Sequence, residues 1–190
     1  MTPVIYRAGR YGAGPATAGI LSDMGYAIDA SVRALFDHFG EPGGPDYHGH
    51  PGTPYWLDPS RTLLELPVTT VYAGLLSCLG PSLLPRAARV PKLPGILART
   101  GLLERIPLTP EGVPVRDALR DINAAIAQKV PVLVFSFQSP SLDIGHTPYV
   151  RMDADLARFY DWWERVLAHL ARRGVAPATV ASVRDAARLA

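Results

Sequence analysis

Residues 4–31, VIYRAGRYGAGPATAGILSDMGYAIDAS, decide the fold that this sequence predicts. The apolar run 4–8 is typical of a buried strand, and the glycines that follow it predict a turn. Pro15 suits the first turn of a helix that ends at Gly25, and residues 26–31 resume as a second short strand. The stretch therefore predicts a strand, a loop and a helix, followed by another strand.

The middle of the chain repeats this alternation of strands and helices. Residues 63–70 predict a third strand, and the proline-punctuated stretch 80–104 predicts one or two short helices. Thr109 has the chemistry of an N-cap for a helix that continues to residue 128. The next run, VPVLVFSF (130–137), is the most strand-like of the sequence, and its unbroken apolar character indicates a parallel strand buried on both faces.

A long helix follows over DLARFYDWWERVLAHLARR, residues 155–173, which Asp153 can cap and Gly174 terminates. Its predicted core-facing stripe comprises Leu156, Phe159, Tyr160, Trp163, Val166, Leu167 and Leu170. A last amphipathic segment covers residues 178–190. We therefore expect an α/β fold with mostly parallel strands, in one domain over residues 1–190.

Composition and charge narrow the classes of function. Of the 190 residues, 48% are hydrophobic and 19% are charged, which is typical of a globular protein. The net charge of +2 comes from basic residues scattered along the chain, so a nucleic-acid partner is not expected. With neither a signal-peptide pattern nor an apolar run of the ~20 residues that span a membrane, the sequence predicts a soluble cytoplasmic protein with no membrane partner.

The single cysteine, Cys78, excludes an internal disulfide and a Cys-rich zinc site. It lies in the apolar stretch AGLLSCLGPSLL, residues 73–84. We therefore expect a buried and inert thiol at this position.

Polar side chains gather at or near the predicted ends of strands. The carboxyl ends of parallel strands share one edge of a sheet, where reactive groups meet. The candidates are Arg7, Arg10, Asp29, Glu65, Gln138, Ser139, Ser141 and His146. An aspartate one strand away from an arginine can hold the guanidinium in a fixed fork, and the arginine can then orient an anionic group. A purely structural ion pair of Arg7 with Asp29 is the alternative interpretation.

The loop DYHGHPGTPYW, residues 46–56, carries His48 and His50 beside several aromatic side chains. Two histidines near Asp46 could contribute metal ligands, but no third ligand stands at a diagnostic spacing. The aromatic neighbours favour a loop that contacts sugar or a partner, or plain loop packing. The sequence contains no nucleophile elbow, phosphate-binding loop, dinucleotide fingerprint or HExxH motif.

Six motifs occur in order along the chain: YRAGRYG (6–12), GYAIDASV (25–32), GHPGTPYWL (49–57), LLELPVTTV (63–71), VLVFSF (132–137) and SPSLDIGHTPYV (139–150). Together they resemble polysaccharide deacetylases of the NodB-homology type, carbohydrate esterase family 4, over nearly the whole chain. The resemblance is most specific in the first and last of these motifs.

The resemblance implies a deformed (β/α) barrel, of which this chain would hold the C-terminal portion without the N-terminal strands. It also implies hydrolysis of N-acetyl groups on a polysaccharide, with a divalent metal, usually zinc, as cofactor. Arg7 matches the family's arginine motif, and Asp29 matches the acidic residue that positions that arginine. The substrate-binding positions would be Arg10, Gln138, His146 and Tyr149.

The sequence departs from the family at the residues that carry catalysis. The family's acidic pair and its His-x-x-x-His metal ligands precede the arginine motif, where this chain has only residues 1–6. The family's general-acid histidine falls on Gln138, whose amide has no proton to transfer near neutral pH. We therefore expect no metal ligands in this chain and no activity from the isolated chain.

Three interpretations fit these departures: a fragment of a longer deacetylase, a non-catalytic relative that binds glycans, and an enzyme assembled from two chains. Missing strands would leave a sheet edge open, which favours a homo-oligomer. A function of another class is the alternative, in which the Arg/Asp pair and the aromatic loop serve protein assembly without contact to sugar.

Overall fold

The computed structural model describes residues 3–35, 45–47 and 49–189, and for Arg10 the backbone alone. Within these residues the helices are α1 (Thr17–Asp23), α2 (Gly80–Ala87), α3 (Leu93–Arg99), α4 (Val115–Ala127), α5 (Asp153–Arg172) and α6 (Val180–Leu189). The strands are β1 (Ile5–Tyr6), β2 (Ile28–Asp29), β3 (Tyr55–Trp56), β4 (Leu64–Glu65), β5 (Thr70–Ala73) and β6 (Glu104–Pro107). The fold is therefore mixed α/β, and α2 and α3 confirm the short helices predicted within residues 80–104.

The chain divides into two compact units. Unit 1 comprises Met1–Thr69, Pro131–Val134 and Pro177–Ala190, and unit 2 comprises Thr70–Val130 and Phe135–Ala176. Both units are assembled from segments that are separated along the chain. The expectation of a single domain over residues 1–190 stays a prediction.

Unit 1 contains a mainly parallel sheet with the strand order β1, β2, β4, β3. β2 runs parallel to both β1 and β4, whereas β3 pairs antiparallel with β4. Helix α1 connects β1 to β2, and Gly25 just beyond it adopts a φ of 76°, a left-handed conformation that glycine reaches without steric cost. The strand, loop, helix and strand predicted for residues 4–31 are confirmed, with shorter strands than predicted.

The two faces of this sheet differ in chemistry. Ile28 and Leu64 are buried in an apolar cluster that Trp56 and α6 cover. The Trp56 indole Nε1–H donates to the Ala187 carbonyl at 3.1 Å and so fixes α6 on this face. Successive side chains of a strand point to opposite faces. Asp29, Glu65 and Tyr55 follow or precede Ile28, Leu64 and Trp56 by one residue, so they lie on the other face of the sheet.

Unit 2 combines a two-stranded antiparallel sheet, β5 with β6, and helices that pack on it. α4 contacts β5, β6 and α5, and it buries Ala118, Ile122 and Ala125. The Trp162 indole Nε1–H of α5 donates to the Val113 carbonyl at 3.0 Å, which ties α5 to the segment before α4. Parallel pairing is thus confined to the sheet of unit 1, and the strands of the described residues form no closed barrel.

The long helix α5 ends before Gly174 as predicted, but Met152 and not Asp153 is its N-cap residue, and its buried face differs from the predicted one. Gly174 has a φ of 71°, and the Val175 N–H beyond it donates to the Leu170 carbonyl at 3.0 Å, which closes the helix. The buried side chains of α5 are Phe159, Trp162, Val166 and Leu170. Tyr160 and Leu167, placed in the predicted stripe, are exposed, because the buried arc of the helix is narrower than the apolar pattern and centres on Trp162.

The predicted strand VPVLVFSF is wrong. Residues 130–137, all of them described, contain no strand. The Thr69 N–H donates to the Val134 carbonyl and the Ser136 N–H donates to the Leu108 carbonyl, each at 3.1 Å. A strand needs successive bonds to one neighbouring strand, whereas here the backbone groups bond to different segments.

The predicted start of α4 is also wrong. The helix begins at Val115, directly after Pro114, and not after Thr109. The Thr109 Oγ1 instead accepts the Glu111 N–H at 3.1 Å and closes a local turn.

Cys78 is exposed and not buried as expected. It lies in the short 3-10 turn Ser77–Leu79. A single turn has too few residues to present a buried face of its own, so the apolar surroundings in sequence do not bury the thiol.

Candidate functional site

Two buried carboxyl groups lie side by side in unit 1. Asp29 is the last residue of β2 and Glu65 the last residue of β4, and the register of these parallel strands places them opposite each other. Asp29 is 3% exposed and Glu65 is 1% exposed. Acidic side chains are seldom buried to this degree without partners, so the partners determine what the pair can do.

Ser31 holds the Asp29 carboxylate. Asp29 Oδ1 accepts the Ser31 backbone N–H at 3.0 Å and also the Ser31 hydroxyl, because an aspartate side chain readily bonds the backbone two residues on. The Ser31 Oγ in turn accepts the Ala8 N–H at 2.9 Å. Arg7 Nε–H donates to the Ala30 carbonyl at 3.0 Å, so the ends of β1 and β2 are tied together around the carboxylate.

Glu65 is held by one backbone donor, and its Oε1 accepts the Val32 N–H at 3.0 Å. Burial, and after it the Asp29 carboxylate, raises the pKa of Glu65 to about 8, while the charge of Arg7 acts in the opposite direction. Burial also raises the pKa of Asp29, against the hydrogen bonds from Ser31. Two like charges cannot both ionise easily at such a site. Near neutral pH burial and the neighbouring carboxyl group therefore favour the protonated form of Glu65.

The pair lines a cavity of about 290 Å³, together with three ring side chains, Tyr47, His50 and Tyr55, and with small, apolar and acidic residues that include Asp46. His50 Nδ1 lies 2.7 Å from Tyr55 Oη, and the His50 and Tyr47 rings meet edge to face at 5.2 Å. The Tyr47 hydroxyl donates to the Tyr11 carbonyl. Burial raises the pKa of Tyr47 and of Tyr55, so both phenols keep their protons.

The cavity thus offers donors and acceptors together in a small volume. An ionised Asp29 accepts hydrogen bonds, and a protonated Glu65 both donates and accepts them. This set suits a neutral ligand rich in hydroxyl or amide groups, whereas the Asp29 charge would repel an anion. A carboxyl group with a raised pKa, such as that of Glu65, can also give a proton in acid–base chemistry.

The predicted residues of unit 1 are partly brought together. Arg7 and Asp29 lie close, through the bonds of Arg7 to Ala30 and of Asp29 to Ser31. Their direct charge-assisted pair stays a prediction. The side chain of Arg10 and the whole of His48 lie outside the described residues.

Sequence reasoning missed the partnership of Glu65 with Asp29. Glu65 was placed in the third predicted strand without a role, although an acidic residue inside the apolar run LLELP is a signal in itself. The loop 46–56, for which the sequence favours contact with sugar or a partner, supplies Tyr47, His50 and Tyr55 to the lining of the cavity, although loop residues carry no register that places them exactly.

In unit 2, Gln138 and Ser141 gather around one carboxylate. The Gln138 N–H donates to Glu111 Oε1 at 2.9 Å, and the Ser141 hydroxyl donates to the same atom at 2.6 Å. Ser141 and Thr147 hydroxyl oxygens lie 3.1 Å apart. These contacts fix the loop that carries the motif SPSLDIGHTPYV, residues 139–150. Ser139 is the first residue of a short helical turn in this loop.

His146 and Tyr149 lie further along that loop. His146 is exposed, with Nε2 3.5 Å from Asp143 Oδ2. Tyr149 is half-exposed and lines a groove of about 430 Å³ in unit 2 together with Phe159 and Trp162. The sequence predicts that Gln138 and His146 lie near Arg7 and Asp29. These residues belong to different units, and their proximity stays a prediction.

Among the residues that the structure describes, no three His, Cys, Asp or Glu side chains form a group that could hold a metal ion. None of the helices in that same part of the chain is long and apolar enough to cross a membrane. Comparison with known proteins found no matching family model, no matching curated protein and no matching solved structure.

Proposed function

We propose that this chain is a polysaccharide deacetylase-like protein whose unit 1 cavity binds N-acetylated carbohydrate. The observation that supports the proposal is the Asp29–Glu65 pair, buried and hydrogen-bonded at the ends of two parallel strands in a cavity with aromatic side chains in its lining. The family-like motifs YRAGRYG and SPSLDIGHTPYV add to it.

In this proposal each carboxyl group has its own part in binding. Asp29 accepts a hydrogen bond from a sugar hydroxyl or from the N–H of an acetamido group. The Glu65 O–H donates to a hydroxyl or to the acetyl oxygen. The rings of Tyr47 and Tyr55 give apolar contact area for the C–H surfaces of a pyranose.

We also propose that the isolated chain binds the acetyl group without removing it. The zinc of the related deacetylases would polarise the acetyl carbonyl and activate water. The described residues do not fit such an ion, because His50 is already bonded to Tyr55 and no third ligand completes a set with the carboxyl pair. Gln138, at the position of the family's acid, cannot supply the proton for the leaving amine.

The finer assignments follow from the same resemblance. Arg7 and Asp29 act as the positioning pair, and the fold is part of a deformed (β/α) barrel in a cytoplasmic protein. The remaining glycan contacts are assigned to Arg10, Gln138, His146 and Tyr149.

The edge strand β1 supports a further part of the proposal, association of two copies of the chain. β1 ends the strand order of the sheet in the described residues, and its flank exposes Val4 and Ile5. An open edge can pair with another strand. Sedimentation should show a homo-oligomer that Ile5→Lys converts to monomer, and an unchanged mass for the variant would contradict this arrangement.

Titration with N-acetylated chitin oligosaccharides, followed by NMR, tests the binding. We expect amide shifts in residues 29–32 and 45–57 at millimolar sugar, and affinity about tenfold weaker for Asp29→Asn, which loses a charged acceptor. Asp121→Asn alters a buried carboxyl of unit 2 and serves as the matched control, with wild-type affinity.

Two results would contradict the proposal. An absence of shifts at millimolar sugar would favour the alternative of an assembly protein. Acetate release by the purified chain in the presence of zinc, abolished by a chelator, would show that the metal ligands and the acid have been misplaced.

A further inference from the structure

A second cavity lies in unit 1, beside the Trp56 face of the sheet. Its volume is about 620 Å³, within the range of roughly 300–1,000 Å³ that small-molecule sites occupy. Its walls come from residues 53–56, Pro131 and Val132, and from one side of α6. The α6 wall includes the small side chains of Ser182, Ala186 and Ala187, and Ala178 precedes the helix.

Three hydrogen bonds fix α6 at a distance from residues 56–62, so that the helix does not move in and fill the second cavity. Trp56 Nε1–H donates to the Ala187 carbonyl at 3.1 Å. Arg61 Nη1–H donates to the Arg188 carbonyl at 3.3 Å, and Arg184 Nη2–H donates to the Thr62 carbonyl at 3.0 Å. With the helix fixed by these bonds, its small side chains cannot fill the gap that they leave beside Trp56.

The lining is mostly apolar, with one cationic side chain. Val132, Val183 and the Trp56 ring offer apolar area, and the exposed Arg61 contributes the charge. The Arg61 guanidinium has five N–H donors, and the bond to Arg188 uses one of them. Arginine binds carboxylates through paired donors, so the remaining donors suit such a group.

We propose that this cavity binds a small amphiphilic carboxylate, with its apolar body against Trp56 and its carboxylate on Arg61. The apolar body gains by leaving water for a lining of valine, alanine and tryptophan. The carboxylate stays at the exposed arginine, where it need not be fully desolvated. The carboxyl groups of the other cavity, Asp29 and Glu65, lie on the opposite face of the sheet, and of the lining residues the two cavities share Tyr55.

NMR titration of the full chain with decanoate, and with decanol as the neutral analogue, tests the proposal. The Trp56 indole N–H is the reporter, and the Trp162 indole N–H, which is bonded to Val113 in unit 2, is the internal control. We expect decanoate to shift the Trp56 signal to saturation at one ligand per chain and to leave the Trp162 signal in place. Decanol should bind about tenfold more weakly, since it lacks the charged partner.

Two variants separate the charge from the cavity. Arg61→Asn removes the cation, and asparagine tolerates the left-handed φ of 55° at this position. It should weaken decanoate about tenfold and leave decanol unchanged. Ala186→Phe fills the space and should abolish both, with Ser182→Leu as a second filling variant if the first fails to fold.

Equal affinities of decanoate and decanol, or an unchanged decanoate affinity in Arg61→Asn, would overturn the assignment of the carboxylate to Arg61. Equal shifts of the Trp56 and Trp162 signals would show non-specific uptake and overturn the site itself. Neither result depends on carbohydrate binding, so the two proposals fail independently. Arg116→Asn, at a side chain 91% exposed on α4, is the matched control and should bind decanoate as the wild type does.

Discussion

The two units bury acidic side chains in different ways. In unit 1, Asp29 and Glu65 accept hydrogen bonds from Ser31 and Val32 and line a cavity. In unit 2, Asp121 of α4 is fully buried, and neither of its carboxyl oxygens has a hydrogen-bond partner among the described residues. Arg120 Nε lies 3.7 Å from Asp121 Oδ1, too far for a hydrogen bond.

The difference shows that burial alone does not mark a functional carboxyl group. Burial raises the pKa of Asp121 to about 7, much as it raises the pKa of Glu65 to about 8. Only the unit 1 pair combines that shift with fixed backbone donors and a cavity that a ligand can enter. An unbonded buried carboxyl group costs stability, whereas a bonded pair at a cavity is prepared for a partner.

The largest expected effect tests whether the two units unfold together at all. Leu64 in unit 1 and Ile122 in unit 2 are both fully buried. Leu64→Ala and Ile122→Ala should each lower the free energy of unfolding by about 2–5 kcal/mol, because each leaves a cavity in a packed core. If the chain is one domain, hydrogen exchange should accelerate in the cores of both units for either variant.

The control is Leu167→Ala, at a side chain 58% exposed, which should change the free energy of unfolding by less than about 0.5 kcal/mol. Faster exchange confined to the substituted unit would contradict the prediction of a single domain. The two carboxyl environments would then belong to two units that unfold independently.

The next effect concerns Asp121 and the pH dependence of stability. Its pKa is raised from 3.8 to about 7 in the folded chain. Between about pH 4 and pH 7 the native state keeps a proton that the unfolded state has lost, so stability is highest below this window. It falls as the pH rises through the window, by at most ~1.4 kcal/mol per pH unit.

Asp121→Asn imitates the protonated side chain. The variant should therefore lose the part of the pH dependence of unfolding free energy that Asp121 contributes. Urea unfolding should find the variant and the wild type equally stable near pH 4. The variant should be the more stable of the two near pH 7. Asp161→Asn, at a side chain 59% exposed, should keep the wild-type profile. Parallel profiles for wild type and Asp121→Asn would show that Asp121 is ionised in the folded chain.

The two carboxyl environments differ in how far the sequence predicts them. The positions of Arg7 and Asp29 follow from local pattern, because a strand, a glycine turn and a helix are encoded within residues 4–31. The pairing of Asp29 with Glu65 depends on the register of two strands that are far apart in sequence. Register is a non-local property, so the sequence placed both residues near strand ends without joining them.

The failure over VPVLVFSF has a related cause. Its composition favours a strand, but β-propensity reports a fit to a sheet surface and not the presence of a partner strand. The neighbours that would form a ladder are absent along residues 130–137, all of which the structure describes. The C-terminal end of α5 was predicted more closely, since Gly174 fixes it locally, whereas at the start of the helix Asp155, and not the predicted Asp153, accepts backbone N–H groups.

A smaller effect should separate the two carboxyl environments by function. If the cavity binds glycan as proposed, ionisation of Glu65 above its pKa of about 8 removes a donor and adds a second negative charge beside Asp29. Affinity for chitin oligosaccharide should therefore fall by up to about tenfold per pH unit above pH 8. Calorimetric titration at several pH values measures this affinity, and Glu65→Gln should bind with little pH dependence.

Asp121→Asn again provides the control, and its binding should follow the wild-type pH profile. A wild-type affinity that stays constant through pH 8 and above would show that the Glu65 proton takes no part in binding. The carboxyl groups of the two units would then differ in their effect on stability and not in ligand binding.

The smallest effect concerns two glycines, one in each unit, at which an added methyl group would meet no atom within 4 Å beyond the adjoining residues and, at Gly19, the backbone of its own helix. Gly19 lies inside α1 with ordinary helical backbone, so Gly19→Ala should stabilise the chain by about 0.5–1 kcal/mol, since alanine loses less conformational freedom on folding. Gly174 ends α5 with a φ of 71°, where an L side chain is strained, so Gly174→Ala should cost about 1–2 kcal/mol. Thermal unfolding should therefore shift in opposite directions, and Gly174→Asn should lose less than Gly174→Ala because asparagine tolerates this conformation. Since open space surrounds both sites, a loss at Gly19 or a gain at Gly174 would mean that backbone conformation does not decide the sign.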